Sequence, residues 1–251
     1  MKSELVKRLI VDSENLSDLR KKFFEQGTLT EEEKQRVITT IPYHKDINWG
    51  LERLTLLPWS ALEHLEYAIK DTIERGVDGD FIETGVWRGG ACILAKSIYN
   101  EISPNRKVYV ADSFEGLPRP SNLYPQDSGD THYLDENLKV SVEKVKENFD
   151  KFNLLDEKVI FVKGWFKDTM PTLDINKISI LRLDGDMYES TIQVLESLYE
   201  KLSVGGYCII DDYFHKGCQQ AVKDFRNKNN ITQKIIKVDN NPENEVHYWI
   251  K

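Results

Sequence analysis

Residues 80–95, DFIETGVWRGGACILA, constrain the fold of this chain more than any other stretch. An apolar run ending at Glu83 predicts a short strand, Gly85 predicts a turn, and the apolar spacing from Ala91 onward predicts a helix. In open α/β sheets such a turn lies at the carboxyl end of a strand, where ligands bind, and glycine lets the backbone approach the ligand closely. An ordinary connection between a strand and a helix is the alternative.

The type of ligand follows from the glycine spacing and from two acids. Gly85, Gly89 and Gly90 are spaced G-x-x-x-G-G, which differs from the G-x-G-x-x-G fingerprint and disfavours an NAD-dependent oxidoreductase. Glu83 suits a cationic ligand such as the amino group of S-adenosylmethionine and would repel a phosphate. Asp112 ends the next apolar run, VYVAD, where a carboxylate can accept both ribose hydroxyls of an adenosine. Together the two acids favour S-adenosylmethionine.

Strand and helix patterns alternate along the rest of the chain. About seven strands are indicated, which predicts an α/β fold with a doubly wound, mostly parallel seven-stranded sheet of the Rossmann-like type. One predicted helix, residues 188–201, is expected to be closed by Val204, Gly205 and Gly206 before the next strand. Residues 113–133 form a polar connection with three prolines. Connections of this length are usually functional or disordered.

The N-terminal part of the chain has a different pattern. Residues 1–36 are charged and amphipathic, which predicts two short helices, the second beginning at Thr30. Residues 37–49, VITTIPYHKDINW, break the helical pattern and place Tyr43 and His44 beside a proline. We interpret this segment as either a flap over the site or a dimer contact, and we expect a homo-oligomer, a dimer or higher.

Charge and composition argue against several classes of partner. The 251 residues carry a formal net charge of −8 with scattered basic residues, which argues against a nucleic-acid backbone as ligand. The three cysteines form no C-x-x-C pair and are expected to be reduced. No apolar run approaches the roughly 18 residues of a membrane span, and the first residues lack the apolar core of a signal peptide. We therefore expect a cytoplasmic protein with no nucleic-acid and no membrane partner.

Acidic residues end two further predicted strands. Asp184 follows ISILRL, and Asp211 and Asp212 follow YCII. Because the carboxyl ends of parallel strands face one crevice, these carboxylates can converge on one cation, and oxygen ligands favour a hard ion such as Mg²⁺. The alternative is that one or more of them cap the following helix, and Asp186 in the LDGD turn is the more typical cap.

A glycine and two aromatic residues follow the predicted strand VIFVK. After Gly164, the indole of Trp165 can cover the adenine face of a bound nucleoside. Plain core packing of Trp165 and Phe166 is an equal alternative. Trp87 and Arg88 are likewise either structural or ligand-binding.

Seven sequence words occur in a fixed order: DFIETGVWRGGACIL, VADSFEGLP, GDTHY, GWFKDT, LRLDGDMYEST, LSVGGY and IIDDY. Together they closely resemble the macrocin and mycinamicin sugar O-methyltransferase family, over residues 54–249. The resemblance implies a class I, S-adenosylmethionine-dependent and magnesium-dependent methyltransferase domain in residues 54–251. Residues 1–53 then form an N-terminal helical and flap segment.

The resemblance also implies site residues. It implies that Asp184, Asp211 and Asp212 are the metal ligands. The residues that we expect to contact S-adenosylmethionine lie at strand ends and in the turns that follow them: Glu83, Thr84, Gly85, Asp112, Ser113, Gly164, Trp165 and Asp184.

Methyl transfer to a sugar hydroxyl needs a base, because the hydroxyl proton is lost as the methyl group arrives. His132 lies in the long polar connection, and the ordinary pKa of histidine, about 6.5, is close to the operating pH. The resemblance implies that the histidine of the word GDTHY is the proposed base, and a turn histidine with a surface hydrogen bond is the alternative. His64 and His247 fit helical and strand patterns and are expected to be structural, whereas His44 and His215 are loop residues with weaker claims.

The predicted function is a metal-dependent O-methyltransferase of natural-product or polysaccharide biosynthesis. It would move a methyl group from S-adenosylmethionine to a hydroxyl of a sugar or related polyol on a small molecule or glycoconjugate. A phenol, phosphorylated or amine acceptor on the same fold is an alternative, and so is a non-catalytic S-adenosylmethionine-binding protein. The acids together with His132 argue against the non-catalytic alternative, because a binding module needs neither. The identity of the acceptor is not predicted.

Overall fold

The computed structural model describes residues 2–11, 18–19, 22, 26, 29–33, 36, 53–240 and 245–251, so the predicted flap with Tyr43 and His44 lies outside the described residues. A seven-stranded sheet forms the centre, in the order β3-β2-β1-β4-β5-β7-β6. Its strands are β1 Asp80–Thr84, β2 Val108–Asp112, β3 Val159–Lys163, β4 Ile178–Leu183, β5 Leu202–Ile210, β6 Ile236–Lys237 and β7 His247–Ile250. Strand β7 runs antiparallel to β5 and β6, and the other neighbours are parallel. This arrangement confirms the predicted fold class.

Helices cover both faces of the sheet. They are α1 Lys2–Val11, α2 Trp59–Glu74, α3 Gly90–Ile102, α4 Val142–Lys151, α5 Phe166–Thr169, α6 Tyr188–Leu198 and α7 Lys216–Lys228. Successive side chains of a strand point to opposite faces. Phe81 and Ile180 therefore belong to a first hydrophobic core with side chains of α1 to α4, whereas Ile82 and Leu181 belong to a second core with side chains of α6 and α7. Among the described residues, no helix has the length and apolar character needed to cross a membrane.

The described N-terminal residues pack onto the sheet domain. Val6 and Ile10 of α1 are buried in the first core, and the Leu54 N–H donates to the Ile10 carbonyl at 2.7 Å. At the predicted start of the second helix, the Thr30 hydroxyl accepts the Glu33 N–H at 3.2 Å and the Glu33 carboxylate accepts the Thr30 N–H at 2.8 Å. This reciprocal pair is a capping box, which agrees with the predicted helix start at Thr30. The boundary between residues 53 and 54 stays a prediction.

One predicted boundary is wrong. Val204, Gly205 and Gly206 were expected to close the preceding helix, but they lie inside β5. The register of β5 against β4 shifts at this point, which is typical of a bulge. Gly205 has a φ of +85°, a conformation that glycine adopts without strain. The glycines therefore let a strand bulge where the sequence pattern indicated a turn.

The glycine turn after β1 draws three strand ends together. Gly85 has a φ of +89°, and a Cβ atom at this position would lie 1.6 Å from the carbonyl oxygen of Asp184. The Gly85 N–H donates to the Ala111 carbonyl at 2.8 Å, and the Asp184 N–H donates to the Thr84 carbonyl at 2.9 Å. A larger residue would push β1 and β4 apart. Gly85 thus keeps the carboxyl ends of β1, β2 and β4 side by side at one edge of the sheet.

Candidate active site

A cavity of about 890 Å³ lies at the carboxyl ends of β1, β2, β4 and β5. Most predicted site residues line it: Glu83, Gly85, Asp112, Ser113, His132, Gly164, Trp165, Asp184, Asp211 and Asp212. Thr84 is the exception. Its side chain is buried, and its hydroxyl donates to the Arg182 carbonyl at 3.3 Å, so its position does not support the predicted cofactor contact.

The acids are arranged around Arg182, near the end of β4. Arg182 is only 2% exposed. Its guanidinium donates to the carboxylates of Glu83, Asp184 and Asp211, at 2.7 Å to Asp184 Oδ2 and 2.6 Å to Asp211 Oδ1. These bonds join the ends of β1, β4 and β5. Our sequence reasoning missed Arg182, although a lone arginine in the apolar strand ISILRL is a usable signal, because a buried charge needs partners.

Asp184, Asp211 and Asp212, here called the acidic edge, come together in the structure. One carboxylate oxygen of each lies within 4.8 Å of the other two. Burial raises the pKa of all three carboxyls, and the Arg182 guanidinium opposes this increase for Asp184 and Asp211. Acids this close repel one another when ionised, unless a cation lies between them. The geometry and charge of the acidic edge therefore suit a divalent cation.

Asp186 and His215 extend the acidic edge into the cavity. Asp186 Oδ1 lies 3.3 Å from His215 Nε2, and the Asp186 N–H donates to Asp212 Oδ2 at 2.8 Å. Asp186, Asp212 and His215 form a second group whose ligand atoms lie within 4.8 Å of one another. His215 therefore lies beside the acidic edge, although the sequence analysis treated it as a loop residue with a weaker claim to the site.

Asp112 is held from the protein side by backbone groups. Its Oδ2 accepts the Val86 N–H at 2.8 Å, and its Oδ1 accepts the Phe114 N–H at 2.7 Å. Burial raises the pKa of the Asp112 carboxyl, and these backbone bonds oppose the increase. Oδ1 also accepts the Ser113 hydroxyl at 3.4 Å, and the Trp87 N–H is a further donor to the carboxylate. The group is therefore fixed in orientation at the cavity wall, and its contact with the ribose hydroxyls stays a prediction.

The Glu83 carboxylate is buried and hydrogen-bonded to other side chains, which the sequence analysis did not predict. One oxygen accepts from Arg182, and Oε2 accepts the Cys92 thiol at 2.7 Å. Burial raises the pKa of Glu83 to about 7, although the Arg182 charge acts in the opposite direction. Its position makes Glu83 a partner of Arg182 at the cavity wall. Its contact with the cofactor amino group stays a prediction.

Three aromatic residues near the strand ends line the cavity. Trp165 immediately precedes α5 and lines the cavity, and Phe166 lines it as well while packing against the second core. Trp87 also lines the cavity, and its indole N–H donates to the Asn137 carbonyl at 2.8 Å. Arg88 stacks on the Trp87 ring at 4.3 Å. Trp165 and Trp87 are therefore placed to contact a ligand.

His132 begins a short 3-10 turn, His132–Leu134, within the long connection. Its Nδ1 lies 3.0 Å from Asp130 Oδ2, and its ring centroid lies 4.9 Å from that of His215. The hydrogen bond to Asp130 raises the pKa of His132, and burial opposes the increase. If neutral His132 donates its Nδ1 proton to Asp130, Nε2 is the nitrogen that can accept a proton.

The remaining described histidines differ from His132. His64 lies 4.3 Å from the Tyr248 ring, and burial lowers its pKa to about 4, so it has the structural role that we expected. His247 lies on β7 against the Tyr213 ring, and its Nδ1 is 2.8 Å from the Glu245 carbonyl. Neither ring lines the cavity. His44 lies outside the described residues.

Three relatives with assigned activities resemble this chain. Demethyldecarbamoylnovobiocin O-methyltransferase of Streptomyces niveus is 42% identical in an alignment that covers 76% of this chain and 75% of the relative. Mycinamicin III 3''-O-methyltransferase of Micromonospora griseorubida is 41% identical over 74% of this chain and 75% of its own. The 8-demethyl-8-(2,3-dimethoxy-alpha-L-rhamnosyl)-tetracenomycin-C 4'-O-methyltransferase of Streptomyces olivaceus is 38% identical, over 76% of this chain and 75% of its own length.

Solved structures agree with this relationship. The O-methyltransferase NovP superposes with a TM-score of 0.76 at 37% identity, covering 96% of this chain and 99% of its own. The calicheamicin methyltransferase CalS11 shares the fold at 17% identity, with a TM-score of 0.61. The superposition covers 94% of this chain and 91% of CalS11. Residues 3–250 match the macrocin-O-methyltransferase (TylF) family. The chain therefore belongs to this family and is an S-adenosylmethionine-dependent O-methyltransferase.

Proposed function

We propose that this enzyme methylates a hydroxyl of a sugar or related polyol carried by a small molecule or glycoconjugate, with Mg²⁺ bound at the acidic edge. The observation that carries the proposal is that the Asp112 carboxylate, the acidic edge and His132 line one cavity. The acceptor class is supported by the tetracenomycin relative, whose name specifies a rhamnosyl group.

The cofactor pocket is proposed at the ends of β1, β2 and β3. Asp112 accepts the two ribose hydroxyls, and Trp165 covers the adenine. The backbone approaches the ligand closely at Gly85 and Gly164, where φ is +89° and +141°. The Gly164 N–H donates to the Asp112 carbonyl at 3.0 Å, which joins the two proposed contact regions.

The metal ligands proposed are the three carboxylates of the acidic edge. Arg182 donates hydrogen bonds to Oδ2 of Asp184 and Oδ1 of Asp211, and the Asp186 N–H donates one to Oδ2 of Asp212. The other oxygen of each carboxylate is left for a cation, and an all-oxygen set of this kind favours Mg²⁺. When bound, a divalent cation supplies Lewis acidity that lowers the pKa of an acceptor hydroxyl and orients it.

The proton acceptor proposed is Nε2 of His132. In the transfer, the hydroxyl oxygen forms a bond to the methyl carbon as the sulfur–carbon bond breaks, and the hydroxyl proton goes to Nε2. Asp130 fixes the ring orientation through Nδ1 and stabilises the imidazolium that results. The His132 ring lies 4.9 Å from the His215 ring, and His215 in turn lies beside Asp186 and Asp212, which supports a place for His132 near the acidic edge.

Asp112→Ala should weaken binding of S-adenosylmethionine about 10- to 150-fold, because it removes an ionised acceptor worth about 1.5–3 kcal/mol. The measurement is a calorimetric titration. Asp80→Ala is the matched control, since Asp80 Oδ1 also accepts a backbone N–H, from Lys107 at 2.8 Å, but at the opposite end of β1. Equal affinity of Asp112→Ala and the wild type would remove Asp112 from the cofactor site.

Chelation should abolish turnover and added Mg²⁺ should restore it. Asp212→Asn should weaken Mg²⁺ binding at least about tenfold by calorimetry, with little change in cofactor affinity, because it removes one charged ligand. The control is Asp224→Asn on α7, whose carboxylate accepts from Tyr188 and Gln220 away from the acidic edge. Full turnover in excess chelator is the result that rules out the metal.

His132→Ala should lower kcat by roughly 10²–10⁴-fold with cofactor affinity nearly unchanged. Because a base must be neutral and Asp130 raises the pKa of His132, kcat/KM of the wild type should rise with pH through a midpoint above about 6.5. This rise of kcat/KM with pH should disappear in His132→Ala and persist in the control, His247→Ala. A His132→Ala enzyme with a near-full rate and an unchanged pH dependence of kcat/KM would mean that the proton leaves by another route.

A further inference from the structure

Asp127 is a buried carboxylate in the long connection, and nothing in the proposed chemistry uses it. It is 4% exposed. Its Oδ1 accepts the Tyr188 N–H at 2.7 Å, and its Oδ2 accepts the Glu189 N–H at 2.9 Å. These two N–H groups open α6, and such groups have no acceptor within their own helix. Asp127 therefore ties the long connection to the helix that directly follows the LDGD turn of the acidic edge.

A short series of bonds leads from Asp127 to His132. The Asp127 carbonyl accepts the Asp130 N–H at 3.0 Å. The Asp130 carboxylate in turn accepts the His132 N–H at 2.8 Å and lies 3.0 Å from the ring Nδ1. Residues 127–132 thus form a compact turn. One end of the turn is fixed to α6 by a buried carboxylate, and the other end carries His132.

Helix α7 closes the Asp127 contact from the other side. Gly217 lies in the first turn of α7, and a Cβ atom there would lie 2.7 Å from Asp127 Oδ1 and 3.0 Å from the Tyr188 nitrogen. Since α6 follows β4 and α7 follows β5, Asp127 sits at the junction of the two helices that continue from the acidic edge. A shift of its carboxylate would move the turn relative to that edge.

We propose that Asp127 is a positioning residue whose bonds to the first turn of α6 hold His132 over the acidic edge. This inference rests on the proposed role of His132 as the base, and it names a residue that acts only through His132. A helix cap with no such role would contribute to stability alone. The two roles differ in whether the effect of Asp127 depends on His132.

The kinetic test is a double-mutant cycle with Asp127→Asn, in which the amide NH₂ faces one of the two backbone N–H groups and breaks that bond. We expect kcat to fall about tenfold or more with cofactor affinity unchanged, and no further loss when Asp127→Asn is added to His132→Ala. The control is Ser141→Ala, which removes the cap of α4, where Ser141 Oγ accepts the Lys144 N–H at 3.2 Å. The same loss with and without His132 would overturn the positioning role.

A second readout does not depend on turnover. NMR titration of the His132 ring in the full-length enzyme reports its pKa, which the hydrogen bond to Asp130 raises. The groups that face this ring are Asp130, Asp135, Asp186 and His215. Gly217→Ala displaces the Asp127 carboxylate but keeps its charge, so a lower His132 pKa in that variant reports a change of position alone.

The two readouts separate failure of the base from failure of the positioning role. Asp127→Asn and Gly217→Ala should both lower the His132 pKa toward its ordinary value, and Ser141→Ala should leave it unchanged. If His132→Ala keeps full activity, the base assignment falls, and the titration still decides the role of Asp127. An unchanged His132 pKa in both Asp127→Asn and Gly217→Ala would overturn the inference.

Discussion

The ion cluster of Arg182 is the interaction on which the site depends. A single buried guanidinium donates to Glu83 near the end of β1, Asp184 after β4 and Asp211 after β5, so three strand ends share one positive charge. Buried carboxylates at this density are tolerated only when they are paired, and removing one partner of a buried ion pair costs about 3–5 kcal/mol. The sheet can therefore carry acids at its edge because Arg182 lies beneath them.

The ion cluster also holds in place carboxylates that line the cavity. Arg182 binds one oxygen of Asp184 and one of Asp211, backbone N–H groups fix Asp112, and all three residues line the cavity. Residues of the long connection also line the cavity, and Asp127 fastens this connection to the first turn of α6. The carboxylates at the strand ends and the long connection that carries His132 thus line one cavity, and each is held in place by its own hydrogen bonds.

Much of this could be predicted from the sequence, because strand period and strand-end acids are local features. The seven strands, the acidic edge and the helix start at Thr30 follow from neighbouring residues. What the sequence did not reveal depends on distant partners: Glu83 lies 99 residues from Arg182, and Asp127 lies 61 from Tyr188. The β5 bulge was missed for the same reason, since it depends on the neighbouring strand β4. The contact of Thr84 with the cofactor stays a prediction, and its hydroxyl bonds to the Arg182 carbonyl of β4.

The free energy of unfolding of Arg182→Met as a function of pH tests the central role of this cluster most directly. Without the guanidinium, the pKa values of the buried carboxyls rise further above those of the unfolded chain, so the folded state binds more protons and stability falls as pH rises above about 4. The deficit relative to the wild type should therefore be small near pH 4 and reach about 3–5 kcal/mol near pH 8. A deficit of the same size at both pH values would mean that Arg182 acts by packing and not by its charge.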